Sequence, residues 1–256
     1  MTAVEFGQQN TQVIILLHGG GLSWWNYRKA AALLAERYHV VLPLLDGHSG
    51  SDVTFTTIED HARHIIDEID VRFGGQVLAI GGLSLGGQIA AEILSQRADI
   101  CTYALLESVL VKPMRLTHAL IEPAFGTSYG LIRQRWFARL QAAYLRIPEE
   151  LFEDYYRDTC QIKKADMITF LKANSAYVMK PALCDTMAKV KIVAGAKEQR
   201  SILNSAVLLH KGIAESSLEI LPGLHHGELS LREPQCYVQM LESMWREERG
   251  FLCVKM

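Results

Sequence analysis

The chain has 256 residues, a formal net charge of -2 and 49% hydrophobic residues. That is enough to bury the core of one large domain, or of a domain carrying an insertion. Near-neutral charge without a basic block gives no reason to expect nucleic acid or an anionic membrane as partner, and no apolar stretch approaches membrane-spanning length.

Val13 to Leu17 is continuously apolar and ends in His18-Gly19-Gly20-Gly21, which predicts a strand buried on both faces that runs into a flexible turn. Tyr27 to Arg37 reads as a helix with Ala30, Leu33 and Leu34 on one side, and His39 to Pro43 as a strand ended by proline. Asp46 to Ser51 is a loop. Ile58, Ala62, Ile65, Ile66, Ile69 and Phe73 recur at helical spacing, closed by Gly74-Gly75. Val77 to Ile80 has the composition of a buried strand, and Ile89, Ile93 and Leu94 fall at helical spacing from Leu85. Tyr103 to Leu106 is a further strand. This alternation predicts a parallel sheet covered on both faces, with ligands beyond the carboxyl ends of the strands.

From Lys112 to Leu183 the pattern turns helical and aromatic, as expected of an insertion lying over the sheet end. Most of its aromatics belong in its own core, and a minority are expected to shape a pocket. The alternation resumes with a strand at Val190 to Ala194, a helix at Ser201 to Lys211, a strand at Leu218 to Leu221 and a closing helix from Pro234 that buries Val238, Leu241 and Trp245. The start, Met1 to Gly7, lacks the basic end and apolar run of a secretory leader. The five cysteines (Cys101, Cys160, Cys184, Cys236, Cys253) are scattered and form no C-x-x-C pair. Neither a zinc site nor a disulfide framework is expected, and reduced thiols fit a cytoplasmic setting. Cys101, inside an apolar run, reads as a small core residue.

The chemistry centres on Gly82-Leu83-Ser84-Leu85-Gly86. A serine held on a sharp strand-to-helix turn needs neighbours without a Cβ, so that the backbones can pass closely. Its hydroxyl would stand at a helix N-terminus, where backbone N–H groups steady developing negative charge. A serine also needs a base and a group to orient that base. His226, in a glycine-punctuated loop after the last strand, is the best base, with His225 the alternative. Glu198, just past a strand end, is the best acid, with Glu107 its rival. The oxyanion donors would be the N–H groups of Leu85 and Gly20, with Gly21 a further contributor.

These segments together resemble the α/β-hydrolase superfamily over nearly the whole chain. His18-Gly19-Gly20-Gly21 resembles its H-G-G-G oxyanion turn, Asp46 to Ser51 imperfectly its D-x-x-G-x-G-x-S loop, and Gly82 to Gly86 its nucleophile elbow. Gly195-Ala196-Lys197-Glu198 resembles the acid turn, with Glu where Asp is commoner, and Pro222 to His226 the terminal turn, with His225 replacing a glycine. The resemblance implies a mostly parallel sheet covered by helices on both faces, a core of residues 1–111 and 186–256, and a helical cap over 112–185. It implies a triad of Ser84, Glu198 and His226, no metal or organic cofactor, and a small acyl substrate as partner. Ester hydrolysis is the leading expectation. Carbon–carbon hydrolysis or a lyase reaction on the same residues is the alternative, and a non-catalytic ligand-binding member the third.

The remaining polar residues read as structural. His18 anchors its turn, and His225 fills space or contacts the cap. One of Trp24 and Trp25 packs while the other lines the pocket rim, and Glu107 is a polar strand end reaching toward the cap. Asp46 and Glu228 cap loops. His61 and His64 sit at or near a helix surface, without metal-site spacing.

Overall fold

The computed structural model describes residues 2–246, so Met1 and Cys253, both invoked above, lie outside the described residues. Seven strands form one sheet in the order β1-β3-β2-β4-β5-β6-β7. They are β1 (Ala3–Phe6), β2 (Val13–Leu17), β3 (His39–Pro43), β4 (Val77–Leu83), β5 (Cys101–Glu107), β6 (Lys189–Gly195) and β7 (Ser216–Leu221). Only β1 runs antiparallel to its neighbour.

The strands alternate as a sheet covered on both sides demands. Val13, Ile15 and Leu17 enter one apolar layer, and Ile14 and Leu16 the other. The first layer packs on α2 (Ile58–Phe73), α3 (Leu85–Gln96) and α8 (Arg200–Gly212). The second packs on α1 (Arg28–Leu34), the short α9 (Glu228–Arg232) and α10 (Pro234–Arg246). Helix α2 begins where the Thr57 side chain accepts from Asp60 N–H at 2.9 Å, and ends at Gly74, whose φ of 70° is left-handed.

One expected helix is shorter in the structure. The helix read from Tyr27 to Arg37 covers only Arg28–Leu34, because Trp24–Tyr27 form a tighter 3₁₀ turn before it. Ala30, Ala31 and Leu34 make its buried stripe, and Leu33 faces solvent. Helix α9 follows the turn after β7 and, at five residues, is too short to carry a helical period of its own.

Between β5 and β6 lie α4 (Arg115–Ser128), α5 (Arg135–Tyr144), α6 (Phe152–Gln161) and α7 (Lys164–Ala176). Met167, Phe170 and Tyr177 join the first apolar layer, while Ala138, Ala142, Phe152 and Tyr155 join the second. The insertion thus straddles the sheet's rim. Its aromatics divide: Phe152, Tyr155, Phe170 and Tyr177 are buried, whereas Trp136 and Tyr144 are exposed. Gln88 on α3 donates to Leu110 O (2.7 Å) and Asn174 O (2.9 Å) and accepts from the Asn174 side chain (2.9 Å), which joins α3 to α7.

The chain goes from β2 outward to β3, then crosses to β4 on the other side of β2. This reversal of direction opens a crevice between the ends of β2 and β4, the place where open α/β sheets bind ligands. His18 to Gly21 follow β2 and Ser84 follows β4.

Candidate active site

The turn after β4 has the geometry expected of an exposed nucleophile. Ser84 has φ 53°, a conformation that side-chain-bearing residues rarely adopt. A Cβ on Gly82 would sit against Gly86 O, and one on Gly86 against Leu17 O. The crowding inferred from the spacing is therefore real: strand, turn and helix pass too closely for any side chain at either position. Leu85 opens α3, so its N–H has no acceptor within the helix.

Strands β2 and β4 pair through Leu17 and Gly82, which sets the Gly19–Gly21 turn beside Ser84. Among the described residues no backbone acceptor takes the Gly20 N–H, and Gly20 and Leu85 line one cavity with Ser84. Gly21 does not join them. Its N–H donates to His48 Nε2 at 3.0 Å, so the expected third donor is already satisfied. His48 fits that role because it is buried. Burial pushes it down to about 4, which keeps the imidazole neutral with a free lone pair. Its Nδ1 side bonds to Asp46 O at 3.0 Å, and its ring stacks on Phe170 at 4.4 Å between centroids.

At the ends of β6 and β7 the two remaining candidates meet. His226 Nδ1–H donates to Glu198 Oε2 at 2.8 Å, which leaves Nε2 with a lone pair. The Glu198 side chain is 0% exposed, whereas that of His226 is 42% exposed. Glu198 Oε1 accepts from Gly195 N–H and from Ser108 Oγ–H, each at 2.7 Å. Ser108 was missed in the sequence. It sits at φ 57° just past β5, and no sequence pattern marks a serine for that conformation. Ser84 and His226 line the same two cavities, and no hydrogen bond joins their side chains among the described residues. In unliganded sites such bonds are commonly long and tighten around the substrate.

Glu107, the rival acid, is fully buried and, among the described residues, hydrogen-bonds neither His226 nor the cap. Its Oε1 accepts from Ser230 N–H of α9 at 3.2 Å, and its Oε2 has no partner among the described residues. Burial pushes its carboxyl up to about 7. The expected contact with the cap is thus replaced by one with the loop-to-helix segment after His226.

His18 is buried, with Nδ1 bonded to Gly19 O (2.9 Å) and Nε2 accepting from Leu45 N–H (3.2 Å), so it anchors the turn. Burial, with His48 close by, holds it well below its usual value. Glu228 caps its loop by accepting from His225 N–H at 2.7 Å. His225 makes a cap contact, with Nε2 3.2 Å from Arg146 Nη2.

Trp25 packs and donates to Asp158 at 2.9 Å. Trp24 does not line the pocket rim. It lies under the Arg28 guanidinium, 4.6 Å from its ring centroid, and beside Phe6. His61 is not a surface residue but is buried, and Asp46 does more than cap a loop. One Asp46 oxygen, Oδ2, bonds His61 Nδ1 at 2.8 Å and His64 Nδ1 at 3.1 Å. Burial would raise that carboxyl, and the two histidine bonds outweigh it and hold it below its usual value. These three residues are the one set of metal-type ligands that gathers among the described residues, with ligand atoms within 4.8 Å of one another. Cys101, Cys160, Cys184 and Cys236 are free thiols, and burial pushes Cys101 up to about 12, as expected for an inert core residue.

Two cavities meet at Ser84. The larger, about 650 Å³, extends under the end of α5 and past the Glu198 turn. The smaller, about 140 Å³, is walled by Leu22, Leu83, Phe170, Leu171 and Leu231 next to the Gly20 turn. Phe170 and Tyr144 are thus the insertion's aromatics that line these two cavities.

Known proteins share this arrangement of elements. An esterase from Exiguobacterium antarcticum superposes with a TM-score of 0.81 at 19% identity, covering 95% of this chain and 94% of its own. The enol-lactonase from Burkholderia xenovorans gives 0.81 at 15% identity, covering 96% of each chain. A meta-cleavage product hydrolase from Pseudomonas fluorescens gives 0.77 at 16%, covering 96% and 94%. At such identities the likeness is one of fold. An AB hydrolase superfamily protein from Gibberella zeae is 34% identical over 130 residues, which is 49% of this chain and 44% of that relative, so the match spans under half the relative's length. The alpha/beta hydrolase family matches residues 14–234, from the second strand through the turn bearing His226, and the chain belongs to that family.

Proposed function

We propose that this hydrolase acts through Ser84 as nucleophile on small esters or related acyl compounds. The observation that carries this reading is the Glu198–His226 bond of 2.8 Å, with the imidazole opening onto the cavities that Ser84 lines. Ser84 Oγ attacks the carbonyl carbon while His226 Nε2 takes its proton. The imidazolium that forms faces the Glu198 carboxylate, which Ser108 and Gly195 hold in place. The N–H groups of Gly20 and Leu85 stabilise the oxyanion, a contribution worth about 3 kcal/mol per donor in comparable sites. His226 then protonates the leaving group, and water cleaves the acyl-enzyme by the same route. No step in this sequence calls on a metal or an organic cofactor.

Carbon–carbon hydrolysis on the same residues is the second reading. It draws on the fold shared with the meta-cleavage product hydrolase and on the volume of the larger cavity, about 650 Å³. A panel of p-nitrophenyl esters separates the two, since a carbon–carbon enzyme would show one acylation burst or no turnover. Labelling with a fluorophosphonate tests the nucleophile. Wild type should label and turn over, and Ser84→Ala should lose labelling and at least about a thousandfold in kcat. Labelling that persists in Ser84→Ala removes Ser84 from the mechanism. A wild type that neither labels nor turns over supports a non-catalytic member of the fold.

A further inference from the structure

We propose that the larger cavity selects substrates whose leaving group carries a carboxylate, held by Arg146 and Lys197. The proposal rests on the serine-hydrolase reading and adds the substrate class. Both cations line the cavity of about 650 Å³ together with Ser84 and His226. The one acidic residue in its wall is Glu198, whose carboxylate is turned away from solvent and bonded to His226. The wall is therefore net positive.

These charges are free for a ligand. Elsewhere in the insertion Arg139 pairs with Glu149 at 2.9 Å, Arg157 with Asp154 at 2.8 Å, and Arg135 with Glu153. Among the described residues neither Arg146 nor Lys197 has a carboxylate within ion-pair distance, and the one side-chain partner of Arg146 is the His225 imidazole. The His225 contact brings no carboxylate to the guanidinium. A planar fork with an undischarged face is suited to bidentate contact with a carboxylate.

The backbone at Arg146 is a second, independent observation. Its φ is 58°, the left-handed position that closes α5, with its N–H on Ala143 O and the next N–H on Ala142 O. Glycine is the usual occupant of such a position, because a side chain there is strained. An arginine holds it here, its carbonyl fixed by Arg232 Nε at 2.7 Å. Strain retained at a cavity mouth, with the guanidinium propped by His225, gives a physical reason for a histidine where the family turn has glycine. Lys197 comes from the core turn after β6, one residue before Glu198, with its N–H on Leu224 O at 3.0 Å. Two cations thus approach from the cap and from the core.

The smaller cavity completes the assignment. It is apolar, about 140 Å³, and adjoins Gly20 and Leu85. A short neutral acyl group fits there with its carbonyl oxygen toward the two N–H groups. The leaving group then points into the larger, cationic cavity.

The test compares 4-acetoxybenzoate with its methyl ester, which present one acetyl group on an anionic or a neutral leaving group. Wild type should favour the anion at least tenfold in kcat/KM. That ratio should collapse in Arg146→Gln and in Lys197→Gln, survive in part in Arg146→Lys, and shrink in high salt. Equal kcat/KM for the two esters in wild type overturns the selectivity while leaving the hydrolase reading intact. If neither ester is cleaved, the hydrolase reading fails for this substrate pair. Calorimetric binding of both to Ser84→Ala then decides the cavity's role: a Kd at least tenfold lower for the anion supports it, and equal Kd values overturn it.

Discussion

The rim of the sheet and the helical insertion above it are held by different physics. At the rim, positions are set by backbone. Ser84 and Ser108 sit at positive φ, Gly82 and Gly86 admit no side chain, and Glu198 is clasped by an N–H, a hydroxyl and an imidazole. In the insertion, positions are set by side chains. Arg28 reaches Asp154 at 2.7 Å, Lys29 reaches Glu150 at 2.9 Å, and Phe55 N–H reaches Asp166 at 3.0 Å. Large apolar residues stay outside, among them Leu116 at 74% and Leu140 at 62% exposure. The contrast separates tasks. Bond making needs atoms fixed to fractions of an ångström, which strands and tight turns supply. Choosing a substrate needs walls that can differ from one protein to the next, which a loosely sewn cover allows.

If that division is right, disturbance at the rim should be costly and disturbance on the cover mild. The largest effect expected is for Gly86→Ala, whose Cβ would press on Leu17 O and His18 O. A loss of about 3 kcal/mol or more in urea unfolding, or failure to fold, is expected. A stable, active Gly86→Ala protein would break the comparison.

Glu107→Gln comes next and sharpens it through pH. The Glu107 carboxyl titrates near 7 in the fold against 4.5 in the open chain. Between those values the folded state binds the extra proton, so its stabilisation is complete below 4.5 and is lost as pH rises through 7. The swing is on the order of 3 kcal/mol. The Gln variant has no such charge, so it should gain on wild type at pH 8 and lose that advantage by pH 4.5. A difference between the two that stays flat with pH would show that the carboxyl does not titrate there. The smallest effect is expected for Leu116→Gln on the outer face of α4, within about 0.5 kcal/mol. A loss above 2 kcal/mol would mean that this face is packed.

What could be read in the sequence follows the same line. The gathering of Ser84, Glu198 and His226 at strand ends is legible because each follows an apolar run with its own turn chemistry, and the mostly parallel sheet follows from the alternation, whereas the strand order does not. Gly21 was misjudged because its N–H is taken by His48, a contact 27 positions away that no local pattern announces. His61 reads as a surface or half-buried residue, and its full burial beside Asp46, which arrives from another loop, is not announced locally. That neither Trp24 nor Trp25 reaches the pocket rim, and that Glu107 bonds Ser230 and not the cap, is illegible for the same reason: where a side chain points is a tertiary fact. The insertion's helices were legible, but the residues presented to the cavity, Arg146 among them, depended on how α5 ends.

The Gln88–Asn174 exchange ties the helix that begins at Ser84 to α7, which borders both cavities. Every polar atom of the Gln88 amide is engaged away from bulk water, so prising the two helices apart would strand donors in a dry interior. The cover is accordingly riveted along one side. Whatever breathing admits a molecule to the serine must come from elsewhere in the insertion, as at α5, which presents Trp136 and Leu140 to solvent, and amide exchange should be faster there than along α7.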